Sequence, residues 1–72
     1  MDDLMGNWFL VFTTNKSYEA AIAKGKLEEN GIPVLVVNRQ DSSYIVIGEI
    51  ELYVPVHLKD VAKDLLNNAF TN

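Results

Sequence analysis

The chain has 72 residues, of which 49% are hydrophobic and 22% are charged, and it contains no cysteine. A chain of this length supports one domain that buries only about 60% of its unfolded surface, and its apolar content is too high for a disordered segment. The absence of cysteine excludes disulfides and thiolate metal sites. The net charge of −4, with 6 basic residues scattered among 10 acidic ones, argues against a nucleic-acid partner, which requires a concentrated basic face.

The first residues and the lengths of the apolar runs bear on localisation. Residues 1–6 include acidic rather than basic residues, so they lack the pattern of a secretory signal. We expect them to form a flexible N-terminus that precedes a single domain at residues 7–70. No apolar run approaches the roughly 18 residues that are needed to span a bilayer. These features predict a cytoplasmic protein without a membrane partner.

The first half of the chain predicts a strand, a helix and a second strand. Residues 8–12 form an apolar run that ends at polar turn formers, as is typical of a buried strand. A helix is expected over residues 17–30, capped by Asn15 or Ser17 and closed by Gly31, because glycine readily adopts the left-handed conformation. Pro33 then opens a second apolar run, at 34–37, where a missing backbone N–H is tolerated at the start of a strand.

The second half predicts a hairpin and a second helix. Residues 44–47 and 50–54 read as two strands joined by a turn at Gly48 and Glu49. The second arm alternates apolar with polar residues, which indicates one buried face, and we place it near an edge of the sheet. The last helix is predicted by apolar residues that recur with helical spacing: Leu58, Val61, Ala62, Leu65, Leu66, Ala69 and Phe70.

This order of elements predicts an α+β fold. The expected architecture is a ferredoxin-like two-layer sandwich, βαββ(β)α, with two helices on one face of a mostly antiparallel sheet and the first two strands parallel. One arc of the first helix carries Ala20, Ala23 and Leu27, and the nearly opposite arc carries Tyr18, Ile22 and Gly25. We expect the first arc to face the sheet, since its small residues permit close approach.

The first two strands are apolar at consecutive positions, so both of their faces require burial. One interpretation is that the sheet face without helices packs on a second copy or on another protein, because large apolar patches are uncommon on soluble monomers. The other interpretation is that the hairpin, the N-terminal segment or tyrosine side chains fold over this face. The candidate interface residues are Trp8, Phe9, Val11, Tyr18, Ile22 and Tyr53.

The sequence offers no catalytic constellation. His57 is the single histidine, so no histidine pair or Cys–His pair is available to bind a metal or activate a nucleophile. Glu49 and Glu51 could share a proton or a cation, but we prefer to interpret them as residues of an exposed strand edge. We therefore expect no enzymatic activity, no metal and no cofactor.

The turn between the first strand and the first helix is a candidate anion site. Thr14, Asn15, Lys16 and Ser17 lie where unpaired backbone N–H groups and the helix dipole attract negative charge. This turn has no glycine, so it matches neither phosphate-loop pattern. A simple capped helix start is the alternative interpretation.

Two segments, 27–33 (LEENGIP) and 51–55 (ELYVP), carry a resemblance to a known family. The chain resembles the putative prokaryotic signal-transducing protein family, a bacterial domain of unknown function, from about residue 8 to residue 66. The resemblance implies a fold like that of the GlnB signalling proteins. It implies no nucleotide site, because the long loop of GlnB proteins has no counterpart here. The chain departs from the family at the start of the last helix, where His57, Leu58 and Lys59 stand in place of the expected acidic residues, which argues against a cation-dependent role there. The other matching features are an aromatic first strand, Glu19 with Ala20, Gly48, and Ala62 with Leu65 and Leu66.

Taken together, these features favour a non-enzymatic regulatory or protein-binding module, with signal transduction as its context. We expect it to self-associate through the sheet face or by adding a strand at the sheet edge. The rival hypothesis is a sensor domain that binds a small anionic metabolite at the turn described above.

Overall fold

A computed structural model describes residues 7–39 and 49–70 of the chain. The predicted arm at residues 44–47, the turn at Gly48 and the N-terminal residues 1–6 lie outside these ranges. The elements in chain order are β1 (Trp8–Thr14), α1 (Ser17–Glu29), β2 (Leu35–Asn38), β3 (Ile50–Pro55), a 3₁₀ turn (Val56–Leu58) and α2 (Lys59–Phe70).

The three strands form one sheet in the order β1-β3-β2, and β3 is antiparallel to both neighbours. Strands β1 and β2 therefore run in the same direction with β3 between them, as in a split βαβ unit. This confirms the α+β, ferredoxin-like prediction. The expectation that 50–54 lies near a sheet edge is wrong, because alternation reports which faces of a strand are buried and not which strands flank it.

The alternation in β3 separates the two faces of the sheet. Ile50, Leu52 and Val54 are at most 3% exposed, whereas Glu51 and Tyr53 point to the opposite face and are half-buried. The buried residues of both helices and of β3 form one cluster, so α1 and α2 lie on the same face of the sheet. The members of this core cluster are Ala20, Ala23, Leu27, Ile32, Ile50, Leu52, Val54, Ala62 and Leu66.

The arc of α1 that faces the sheet is the predicted one. Ala20, Ala23 and Leu27 are buried, and the residues of the opposite arc are exposed, with Tyr18 at 62% and Ile22 at 51%. Two alanines on this arc let the helix axis approach the strands closely. The outward apolar residues of α1 therefore contribute nothing to the core.

The start of α1 differs from the prediction. The N-cap residue is Lys16 rather than Asn15 or Ser17, and its side chain makes no capping hydrogen bond. Because β1 continues to Thr14, two residues further than expected, only residues 15 and 16 connect the strand to the helix. The hydroxyl Oγ1 of Thr14 accepts a hydrogen bond from the Lys16 N–H at 3.1 Å and donates one to Glu19 Oε1 at 2.6 Å.

The end of α1 is a Schellman motif, and Gly31 takes the predicted left-handed conformation with φ of 78°. The Gly31 N–H donates to the Glu28 carbonyl at 2.9 Å, and the Ile32 N–H donates to the Leu27 carbonyl at 3.0 Å. Ile32 and Leu27 are both buried in the core. The motif thus satisfies terminal carbonyls of the helix and directs the chain back toward the sheet.

Helix α2 buries a narrower stripe than its sequence predicts. Ala62 and Leu66 are buried, but Val61 is 52% exposed although it was expected on the buried face. The three described strands and the neighbouring helix α1 form too small a surface to cover both sides of this 12-residue helix. At its C-terminal end the Phe70 ring stacks on Phe12, with 5.2 Å between the ring centroids.

Strand β1 contains an irregularity that sets the direction of its side chains. Its pairing with β3 shifts by one residue between Leu10 and Phe12, as at a β-bulge. Phe9 and Phe12 face the helices, because their cross-strand partners are buried there, and Val11 at the bulge packs against the core. Trp8 and Leu10 point to the opposite side of the sheet. The apolar run of β1 therefore contributes side chains to both faces of the sheet.

The open face of the sheet

The candidate site is the sheet face opposite the two helices, which we call the open face. The strand register aligns side chains from the three strands on this face, because directly paired residues point the same way. Tyr53 pairs with Leu10 on one side and with Leu35 on the other. The members of the open face are Trp8, Leu10 and Thr13 from β1, Leu35 and Val37 from β2, and Glu51, Tyr53 and Pro55 from β3.

An apolar row crosses the middle of the open face. Leu10 is 40% exposed and Leu35 is 42% exposed, and Tyr53 between them is half-buried. None of the helices in residues 7–39 and 49–70 covers this row, since both lie on the other face. The adjacent row, Thr13, Glu51 and Val37, is more polar.

A charged cluster stands beside the apolar row. Arg39 Nε donates a hydrogen bond to Glu51 Oε1 at 3.0 Å, and Tyr53 Oη donates to the same oxygen at 2.9 Å. The Arg39 backbone N–H donates to the Glu49 carbonyl at 2.8 Å, which fixes the residue just beyond the end of β2. The Glu51 side chain is 16% exposed and that of Arg39 is 61% exposed. The carboxylate thus lies low on the sheet, beneath a more exposed guanidinium.

The cluster holds its members in defined protonation states. The hydrogen bond from Arg39, followed by that from Tyr53, lowers the pKa of Glu51 below its ordinary value of 4.5. The Glu51 hydrogen bond raises the pKa of Arg39 and raises the pKa of Tyr53 above 10.0. At neutral pH the carboxylate and the guanidinium are both charged, the phenol is a donor, and the cluster has no net charge.

The lowered pKa of Glu51 predicts a pH dependence that Glu51→Gln removes. A group whose pKa is depressed in the folded state contributes stability above its ordinary pKa and loses it as the pH falls through the folded value. The wild-type chain should therefore exceed E51Q in stability at pH 7, and this difference should shrink below pH 4.5. Urea midpoints of both chains at pH 7 and pH 3, at high dilution, measure it. An unchanged difference would contradict the prediction.

The structure divides the six predicted interface residues among three surfaces. Trp8 and Tyr53 lie on the open face, Phe9 and Val11 pack toward the helices, and the remaining pair, Tyr18 and Ile22, lies on the outer surface of α1. The six residues therefore do not form one contiguous patch. Whether any of them contacts another chain stays a prediction.

Phe9 is used within the chain. The Nζ atoms of Lys59 and Lys63 on α2 lie 5.8 Å and 5.2 Å from the centroid of its ring. Such distances allow cation–π attraction between each ammonium group and the ring. The contacts attach α2 to β1 and partly cover an aromatic residue that the sequence alone assigned to an interface.

Sequence reasoning missed six of the eight members of the open face, and it also missed Arg39 beside them. The six are Leu10, Thr13, Leu35, Val37, Glu51 and Pro55. Period-two alternation from Trp8 could have found Leu10, and alternation from Tyr53 could have found Glu51 and Pro55. No local sequence pattern connects Arg39 to a carboxylate 12 residues away. The interpretation of Glu51 as an edge residue is wrong, because β3 is the central strand.

The predicted anion site has a carboxylate of its own. Thr14, Asn15, Lys16 and Ser17 surround the start of α1 as expected, but Glu19 lies in the first turn and accepts the Thr14 hydrogen bond. A carboxylate at this position already meets the positive end of the helix dipole. The geometry therefore adds no support to anion binding, which stays a prediction.

The described parts of the chain show neither a metal cluster nor a membrane span. Within residues 7–39 and 49–70, no group of three or more His, Asp or Glu side chains could hold a metal ion. No helix in these ranges has the length and apolar character to cross a bilayer. His57 is exposed in the 3₁₀ turn before α2.

Comparison with known proteins places the chain in a family. Neither a curated protein nor a solved structure matches it. The model of a family described as "Putative prokaryotic signal transducing protein" matches residues 8–69, a range that includes all three strands and nearly all of both helices. The chain therefore belongs to this family.

Proposed function

We propose that the chain is a non-enzymatic regulatory module that acts in signal transduction by binding protein through the open face, with a second copy of itself as the occupant. The observation that carries this proposal is the apolar row of Leu10, Tyr53 and Leu35, which no described element covers. Covering apolar surface contributes about 25 cal/mol per Å². A chain with so small a core gains stability from such a contact.

The charge distribution favours a second copy as the occupant. Among the members of the open face and the adjoining Arg39, the charged residues are Arg39 and Glu51, which are paired with each other, whereas the chain as a whole carries −4. The open faces therefore add no like-charge repulsion to that between the net charges of −4 on the two copies. A highly charged partner would find no complementary charge on this face. An apolar, electrically neutral surface is well suited to an isologous contact, in which the same patch serves both subunits.

The size of the open face predicts a reversible contact. Three strands spaced about 4.8 Å apart are roughly 14 Å wide, and the six residues of β3 extend for about 20 Å. The resulting footprint of roughly 300 Å² per copy is small beside the 800 Å² or so of accessible surface that each partner buries in a standard complex. We expect a dissociation constant in the micromolar range or weaker, so that association responds to concentration.

The chemistry of the open face supports a binding role over an enzymatic one. Glu51 is kept ionised by two donors, and its pKa is lowered, the opposite of what a general acid at neutral pH requires. Its partners Arg39 and Tyr53 hold it in place rather than present it to a substrate. A neutral, hydrogen-bonded cluster of this kind is suited to being covered by another chain.

The experiment that tests the proposal compares aspartate substitutions on two surfaces. Leu10→Asp and Leu35→Asp each place a charge on the open face, and Ile22→Asp places one on the outer surface of α1, at a position that is also exposed. Sedimentation velocity across a concentration series should show wild type and I22D approaching the mass of two chains, while L10D and L35D remain single chains. A monomeric wild type at the highest concentration, or dimers of L10D and L35D like those of wild type, would refute it.

A further inference from the structure

We propose that the Arg39–Glu51–Tyr53 cluster fixes the register of the contact between two copies, through hydrogen bonds from Arg39 of each copy to Glu51 of the other. This inference rests on the proposed function, since it concerns the same face and the same occupant. It identifies the residues that determine specificity, whereas the apolar row provides the driving force.

The apolar row cannot define a register by itself. Apolar burial is non-directional, and two faces that present leucine and tyrosine side chains can slide or rotate with little change in buried area. A polar group that becomes covered is different, because it must keep its hydrogen bonds or lose stability. Glu51 lies on the central strand, in the row next to Tyr53. Any face-to-face contact centred on the apolar row would therefore cover it.

Arg39 has the geometry to join the two copies. Its Nε is directed to Glu51, and a guanidinium has four further N–H donors on its terminal nitrogens. The side chain is 61% exposed, so it extends away from the sheet while anchored by its backbone N–H. A carboxylate can accept about four hydrogen bonds, and Oε1 of Glu51 accepts two within its own chain. In a two-fold contact, the terminal N–H groups of each guanidinium would thus be the donors to the Glu51 carboxylate of the other copy, while Nε keeps its bond within the chain.

Exchange of the two charges tests pairing between copies. The double variant R39E/E51R keeps an acid–base pair within each chain, so it should fold and self-associate like wild type. In a mixed dimer, however, Arg39 of the wild-type copy would face the arginine introduced by E51R, and the two carboxylates would also face each other. Like charges that face each other across a contact destabilise the complex, so they disfavour the mixed dimer. In an equal mixture of the two chains, random pairing would make half of all dimers mixed. We expect the mixed fraction to be less than about one tenth of that share.

The measurement uses full-length chains that carry two different fluorophores, mixed in equal amounts, with energy transfer as the readout. Circular dichroism confirms that the double variant is folded, and a second variant, Arg39→Met, should raise the dissociation constant of the dimer by about tenfold or more. Mixed dimers at the statistical share, or an R39M chain that associates like wild type, would overturn the inference while leaving self-association intact. A wild-type chain that never dimerises would instead overturn the proposed function.

Discussion

Leu52→Ala should lower the free energy of unfolding by about 2 to 5 kcal/mol, the usual cost of truncating a fully buried leucine. Leu52 is 0% exposed on the central strand and belongs to the core shared by the sheet and both helices. A chain of 72 residues has a total stability of about 4 to 11 kcal/mol at typical values per residue. The substitution therefore removes a large part of the stability, and a chain whose stability lies at the low end of this range should be substantially unfolded near body temperature.

Leu35→Ala is the matched control, because it removes the same atoms from the neighbouring strand. Leu35 lies on the open face and is 42% exposed, so its truncation leaves no closed cavity and should cost less than about 1 kcal/mol. Urea unfolding followed by far-ultraviolet circular dichroism, at a dilution where chains are single, gives both values. Similar losses of stability for L52A and L35A would contradict the assignment of the buried face of β3.

The features that the sequence predicted correctly depend on short-range patterns. The arc of Ala20, Ala23 and Leu27 and the alternation in β3 both follow from the repeat of the backbone, which determines the face on which each side chain lies. Gly31 follows from the need for a residue that tolerates positive φ at a helix end. The α+β fold followed because few topologies accommodate this order of helices and strands.

The features that the sequence did not predict depend on pairing between distant segments. The central position of β3 is decided by which strands hydrogen-bond, and alternation contains no information about this. Alternation places Phe9 on the face opposite Trp8 and Leu10, and the irregularity near Val11 then brings Phe12 to the same side as Phe9. The contact of Arg39 with Glu51 requires β2 and β3 to be aligned first. Only Trp8 and Tyr53 of the open face were therefore identified from the sequence.

Gly25, which lies within α1, and Gly31, which lies in the motif that ends α1, should respond oppositely to substitution by alanine. Gly31→Ala should destabilise the chain by about 1 kcal/mol or more, because the alanine would retain a φ of 78° that disfavours a residue with a Cβ. Gly25→Ala should stabilise the chain by about 1 kcal/mol, because Gly25 lies inside the helix, where alanine is the better former. A Cβ at either position would meet no atom within 4 Å, so steric crowding does not contribute.

Both glycines are exposed and both have room for a Cβ, but their backbone conformations differ. The difference in stability between G25A and G31A therefore measures the effect of backbone conformation alone. Urea midpoints of the two variants and of the wild-type chain should lie in the order G25A, wild type, G31A, from most to least stable. A stabilising G31A would show that the helix can end without the left-handed residue, in which case the Leu27 and Glu28 carbonyls would have to find other donors. The direction of the chain after α1, and with it the position of β2 beside β3, depends on this turn.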